Sequence, residues 1–241
     1  MNRNRKNQKG TSLMESLISM SIFCLVMLSG MEVFQSARLH FKHLKHSEET
    51  NTSAYAALDK MKRDISLAGA GLIFPMGHGW LKGVEDSNDQ LIIRCSDLTL
   101  SIQNDIQAGQ TWIPQTSTKD LKKGQGIFVF DQYKGELNTI ISVEKSGIAI
   151  SSPLKRSYLQ EKASLLRVKK IAFYMDQKKK ILRRKVNASP AQPLCEDVFT
   201  FNFIYNTQNN LIDIHLCLNS NKEKTYDLRI YPKNPAIPAN E

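Results

Sequence analysis

The chain has 241 residues, 41% of them apolar and 23% charged, with mean hydropathy −0.35 and a formal charge of +10. Those totals describe one large or two small globular domains carrying a single membrane segment, and so exclude a chain without a core and one embedded wholly in lipid. A charge of this sign points toward acidic partners.

A basic leader, MNRNRKNQK, stops at Gly10. Glu15 precedes and Glu32 closes a run, 16–31, of 16 residues without a charge. A simple membrane span takes roughly 17 to 25 apolar residues. Counting 11–34 gives 24 positions, but only with Glu15 inside the apolar layer. An acid there is costly unless paired, which makes it a functional candidate. Ser12-Leu13-Met14-Glu15 also fits an S-x-x-E capping box that starts a helix, and a carboxylate near a helix N-terminus is favourable in any case. The leader contributes Arg3, Arg5, Lys6 and Lys9 and no acid, so its removal would lower the charge to +6. Basic flanks stay cytoplasmic, so the remainder is expected on the outer side.

Gly10 followed by Thr11-Ser12-Leu13-Met14-Glu15 and a long apolar helix resembles the class III leader of type IV pilins and pseudopilins. The family usually has Phe where this chain has Thr11. The resemblance implies cleavage after Gly10 by a prepilin peptidase and N-methylation of Thr11. It implies that Glu15 is the buried acid of filament assembly, met by the freed N-terminal ammonium of a neighbouring subunit. It also implies a single-pass protein of the bacterial inner membrane with a periplasmic head, later at a pilus or pseudopilus tip. The implied partners are other minor pilins and the major pilin, or pseudopilins, and the inner-membrane assembly platform.

From residue 35 the pattern turns amphipathic. Ala54, Ala57, Leu58, Met61, Ile65 and Ala68 fall at helical spacing on one stripe, with Asp59, Lys60, Lys62, Arg63 and Asp64 between them as a solvated face. No proline interrupts 11–68, Gly30 is the weakest point, and Gly69-Ala70-Gly71 is a stop signal. Tyr55-Ala56-Ala57-Leu58-Asp59, then Arg63-Asp64-Ile65 and Ala68-Gly69, look like the helix end of PilW-type minor pilins, a pattern shared in part by GspJ-type pseudopilins. His40, His43 and His46 recur every three residues but have no acid or cysteine in a strict ligand pattern, so no metal is expected there.

Beyond 71 the chain reads as strands. Residues 74–80 form a turn cluster without the G-K-[ST] of a phosphate loop. Short β-type runs follow at 90–94, 98–102, 126–131, 137–143 and 147–151, with 108–123 as a long polar loop. A hairpin, 165–174 with 181–186, turns near Asp176-Gln177, and two more strands lie at 198–205 and 211–218. Phe199, Phe201 and Phe203 alternate with polar residues, predicting one buried face. A last strand spans 226–231. The expected fold is α+β and pilin-like, a transmembrane then amphipathic helix packed on a mostly antiparallel sheet. Its parts are a leader at 1–10, a membrane and filament-core helix at 11–34, an amphipathic helix at 35–71, a β-rich head at 72–231 and a proline-rich tail at 232–241.

Cys95, Cys195 and Cys217 lie outside the apolar run, and an exported domain could oxidise one pair. If Tyr205 pairs with Leu211, Cys217 faces Phe199. Cys195 is then about 13 Å away, beyond the limit near 7 Å for a bridge, so the pairing stays open. Between 155 and 185 stand twelve Lys or Arg against Glu161 and Asp176, a net +10. Lys169, Lys170, Lys178, Lys179, Lys180, Arg183, Arg184 and Lys185 form its densest part. Three readings stand side by side: a patch for DNA or an acidic glycan, a solvated hairpin guarding a sheet edge, and a contact with an acidic neighbouring subunit. No G-x-S-x-G, H-E-x-x-H or P-loop is present. Neither enzymatic activity nor a cofactor is expected.

Overall fold

The computed structural model describes residues 13–87, 89–115, 117–218 and 224–234. Gly10 and Thr11 lie outside them, as do the leader and most of the tail. The chain forms two compact units, one ending at Glu49 and one spanning Thr50–Glu241.

Helix α1, Leu13–Ser66, begins with Glu15 in its first turn and runs through Gly30 without a break. In the first unit its large apolar side chains are exposed on every side: Leu17, Ile18, Phe23, Leu25, Val26 and Phe34 are each more than half accessible. A helix apolar all round needs a surrounding other than water, and this one is long and apolar enough to cross a membrane. Past Thr50 the same helix becomes one-sided. Ala54, Ala57, Leu58, Met61 and Ile65 are buried, as their spacing predicts, and the two alanines let the helix approach the strands closely.

The rest of the second unit is strands with one short helix, α2, Ile73–Gly77. The strands are β1 (Val84–Ser87), β2 (Gln90–Ser101), β3 (Trp112–Pro114), β4 (Gly126–Phe130), β5 (Gly135–Glu144) and β6 (Gly147–Ile150). They continue with β7 (Ser164–Asp176), β8 (Ile181–Val186), β9 (Gln192–Cys195), β10 (Val198–Asn206), β11 (Leu211–Leu218) and β12 (Lys224–Ile230). Among the described residues they form a nine-stranded sheet, β1-β2-β7-β4-β5-β6-β3 with β8 and β9 alongside β7, and a three-stranded sheet, β10-β11-β12. Every pairing is antiparallel.

Strand β7 organises the larger sheet. One edge pairs with β2 along its length; the other pairs with β4 over Ser164–Val168 and with β8 over Ile171–Asp176. Its alternate residues therefore serve different cores. Ile171 and Phe173 join α1, Leu91, Ile93, Leu182 and the inner face of the three-stranded sheet in the main core. Leu165 joins Ile127, Val129, Ile140 and Ile148 in a second core on the same side, farther along the sheet. Leu166 and Val168 point to the other side, where Leu72, Met76, Leu81 and Phe128 cover them. Leu91 and Ile93 face the main core and Ile92, beside Ala172 on the other face, is buried as well, which matches the unbroken Leu91-Ile92-Ile93 run.

Several expectations need correction. Segments 90–94 and 98–102 are one strand, with a bulge between Ser96 and Leu98 that moves the buried phase from Leu91, Ile93 and Cys95 to Leu98 and Leu100. The 74–80 cluster contains α2, and the 108–123 loop contains β3. In β10 a register shift between Val198 and Thr200 turns Phe199 outward, 51% exposed, while Phe201 stays buried. Tyr205 pairs with Ile212 rather than Leu211. Asp64, placed on the solvated face of the helix by its neighbours, is buried.

The helix ends at Ser66, just before the Gly69-Ala70-Gly71 signal, because that segment has another partner. The Gly69 amide donates to the Arg94 carbonyl (2.8 Å) and the Ser96 amide to the Ala70 carbonyl (2.7 Å), extending the sheet where β1 has ended. Gly71 has φ +69°, and a side chain there would begin 2.4 Å from the Ser96 carbonyl oxygen. Gly71→Ala is therefore expected to destabilise the head by about 1–3 kcal/mol. Thermal unfolding of the detergent-solubilised chain should show the midpoint falling by several degrees, whereas Gly109→Ala, at a positive φ but with open space around it, should cost less.

Candidate functional site

The first candidate is the apolar half of α1 with Glu15 in its opening turn. The four apolar residues that flank the acid most closely, Leu13, Met14, Leu17 and Ile18, are all more than half exposed. Glu15 thus lies among exposed apolar side chains, on a surface that water does not favour.

The second candidate, the basic segment, is not one patch. Arg184 projects to the helix side of β8, where its Nε donates to Asp64 Oδ2 at 2.6 Å and its second guanidinium nitrogen to Oδ1 at 3.3 Å, both residues being buried. Arg183 points the other way and pairs with Asp176 at 3.0 Å. The Asp176 carboxyl is held below the usual carboxylate range, chiefly by the Lys179 backbone N–H and also by Arg183. Arg167 grips Asp97 at the β2 bulge, at 2.8 Å through each of two nitrogens, and keeps that carboxyl low as well. Lys169 faces the same side as Cys95. Lys178, Lys179 and Lys180 occupy the exposed β7–β8 turn, next to Glu196 and Asp197 through the Val198 N–H to Lys180 carbonyl bond. That leaves Lys170 and Lys185 on the open face of the sheet, away from the helix. Lys170 lies opposite Arg94 on β2, and Lys185 lies opposite Ala172 on β7.

A third feature was not anticipated from the sequence. Helix α2 and the residues after it lay Phe74, His78 and Trp80 over that same open face. Ring centroids are 4.4 Å apart for Phe74–His78 and 4.5 Å for His78–Trp80, the latter stacked at 26°. The His78 ring is fixed by Nδ1 donating to the Phe74 carbonyl at 3.0 Å. Trp80 rests against Phe128 and over Gly135, where a Cβ would come within 3.0 Å of the indole. The signal was available as F-x-x-x-H-x-W, one helical turn followed by a turn at Gly79, but it reads as a turn throughout until the helix is known.

The cysteines make no bridge: Cys24, Cys95, Cys195 and Cys217 are all free. Cys195 lies in the main core, whereas Cys217, between buried Leu216 and Leu218, points away from it. The two thiols are on opposite sides of the three-stranded sheet, which is why the open Cys195–Cys217 pairing fails. Burial pushes the Cys95 and Cys195 thiols up.

No family model matches the chain, and no curated protein matches it. Among solved structures it is similar to the Gp54 tailspike of Acinetobacter baumannii bacteriophage AP22, solved with A. baumannii capsular saccharide, at 19% identity and TM-score 0.26 over 31% of this chain and 15% of that one. It is similar also to the tailspike gp49 from Pseudomonas phage LKA1, at 20% identity and TM-score 0.25 over 30% and 15%. Both likenesses cover too little of either protein to carry over a fold or an activity.

Removing one member of a buried pair strands the other charge, so Arg184→Ala should cost about 3–5 kcal/mol. Lys185→Ala, one residue on and exposed, should stay within about 0.5 kcal/mol. The Asp64→Leu/Arg184→Met double variant should unfold later than Arg184→Ala alone. In native protein at pH 8, iodoacetamide should label Cys217 while Cys95 and Cys195 react only after denaturant is added; equal labelling of all three would contradict the burial described above.

Proposed function

We propose that this protein is a minor subunit of a type IV pilus or of a related secretion pseudopilus, of the PilW or GspJ kind, and acts in priming filament assembly rather than in catalysis. The observation that carries the reading is the exposed, all-round apolar surface of α1 over 13–34 with Glu15 in its first turn. Lipid satisfies such a surface before assembly, and the helices of sibling subunits satisfy it afterwards. Gly10 in front of that helix supplies a cleavage point for a prepilin peptidase, which leaves Thr11 as a new amino terminus open to N-methylation. The Thr11 ammonium of one subunit then meets Glu15 of the next.

Two unit charges about 4 Å apart attract by about 4 kcal/mol at an effective dielectric near 20, enough to set which subunits bundle and in what register. The leader cations hold the amino terminus on the cytoplasmic side, so the strands fold as a periplasmic head. The amphipathic stretch 50–66 joins the two roles, since it continues the assembly helix and is also part of the core of the head.

The test expresses the chain with the matching peptidase and assembly platform. Gly10→Val should leave the full-length mass in the membrane, and the unaltered chain should lose its first ten residues. Glu15→Ala should be cut and inserted normally, yet its cross-linking to other subunits should fall by tenfold or more, within a ceiling of roughly a thousandfold for the loss of 4 kcal/mol. Normal cross-linking and filament yield with Glu15→Ala would falsify the pairing, and a mature chain beginning at Met1 would remove the filament reading altogether.

A further inference from the structure

The open face of the nine-stranded sheet carries two features that filament assembly does not use, and they follow one another along β7, the rings toward Ser164 and the lysines from Lys170 on. Trp80 packs in the same cluster as Leu166 and Val168 of β7. Lys170 is the next residue on that face of the strand, about 7 Å further on. Lys185 lies diagonally across on β8, with Ala172 opposite it. Arg94, opposite Lys170, donates to the Lys82 carbonyl at 3.3 Å, so exposed Lys82 lies beside Trp80 in sequence and beside Arg94 in space. The acid at this end of the face, Glu85, is already taken by Arg94 at 2.5 Å.

We propose that this face binds single-stranded nucleic acid without regard to sequence. Phe74 and His78, both exposed, and half-buried Trp80 offer ring surfaces on which unpaired bases stack. Lys82, Lys170 and Lys185 meet the phosphates. A ring platform bordered by cations is the arrangement that single strands require. Among the described residues the cations here without an ion pair are lysines, which act as point charges, while the neighbouring Arg94 and Arg183 are held in ion pairs. Base-edge readout, which calls for free, planar guanidinium groups, is therefore not expected. An acidic glycan fits less well, because its ring hydroxyls call for a carboxylate or amide acceptor beside the aromatic surface, and the carboxylate nearby is occupied. The turn lysines Lys178–Lys180 lie some six residues along β7 beyond Lys170, about 20 Å from it and farther from the rings, and serve as an internal control.

The full chain in detergent micelles is titrated into a fluorescein-labelled 15-nucleotide oligo-dT, a 15-base-pair duplex and a heparin fragment, with anisotropy read between 50 and 200 mM salt. Oligo-dT should bind more tightly than the duplex. Lys82→Gln/Lys170→Gln/Lys185→Gln should lower the slope of log affinity against log salt by about 2, at about 0.7 per phosphate contact, so that the gap between 50 and 200 mM shrinks by roughly 20-fold. Phe74→Ala and His78→Ala should each weaken binding by about tenfold at constant slope, as the loss of one stacked base does. Lys178→Gln/Lys179→Gln/Lys180→Gln should change little. The proposal is overturned if the turn variant weakens binding as much as the face variant. It is overturned equally if heparin binds and oligo-dT does not, or if no binding tighter than about 100 µM appears at 50 mM salt.

Discussion

The Asp64–Arg184 pair sets the terms for the rest of the head. It joins the last turns of the long helix to a strand 120 residues later, in a place where neither charge meets water. Such a pair regains about what its desolvation costs, and it holds one turn of the helix against one residue of β8. With that register set, Ala54 and Ala57 come down where the helix must pass close to the strands, and Asn51 reaches the Tyr226 hydroxyl and, at 3.3 Å, the Lys224 ammonium.

The pair also divides the basic segment. Strand alternation sends neighbouring residues to opposite faces, so each cation between 167 and 185 meets a different environment. Arg184 enters the core, Arg183 closes the hairpin through Asp176, and Arg167 holds the bulge in β2. What remains on the open face is lysine beside aromatic rings, a much smaller and more defined surface than a run of twelve charges suggests. On that face Leu166 and Val168 are buried under Leu72, Met76 and Leu81, whereas Lys170 and Lys185 are exposed beside buried Ala172.

Much of the fold was legible in order. The helix, the hairpins around Asp176 and Asn206–Asn210, and the strand sequence all follow from spacing and turn residues. The misreadings of strand phase share one cause. At Asp97 and Phe199 an extra residue in one strand shifts the pleat, so a stripe that alternates correctly in sequence changes face in space. Strands β3 and β9 are too short to show a period. Helix α2 is a single turn whose apolar side needed the sheet beneath it to become visible. Glu15 stood out because an acid beside a long apolar run is conspicuous in any fold. Phe74, His78 and Trp80 did not, since their value lies in what they stack on.

Local composition by itself determined the elements whose physics is one-dimensional: the uncharged run long and apolar enough to cross a membrane, the acid at its head, the amphipathic stripe, and the alternation that makes strands. Tertiary structure alone decided which charges are solvent-facing and which are buried, that the cysteines stay apart, and that rings from one loop lie beside lysines from two distant strands. The physical reason is that burial and pairing depend on the partner across the sheet. In this chain the deciding partners are the distant ones, where β2 and β4 meet β7, β3 meets β6 and Arg184 meets Asp64.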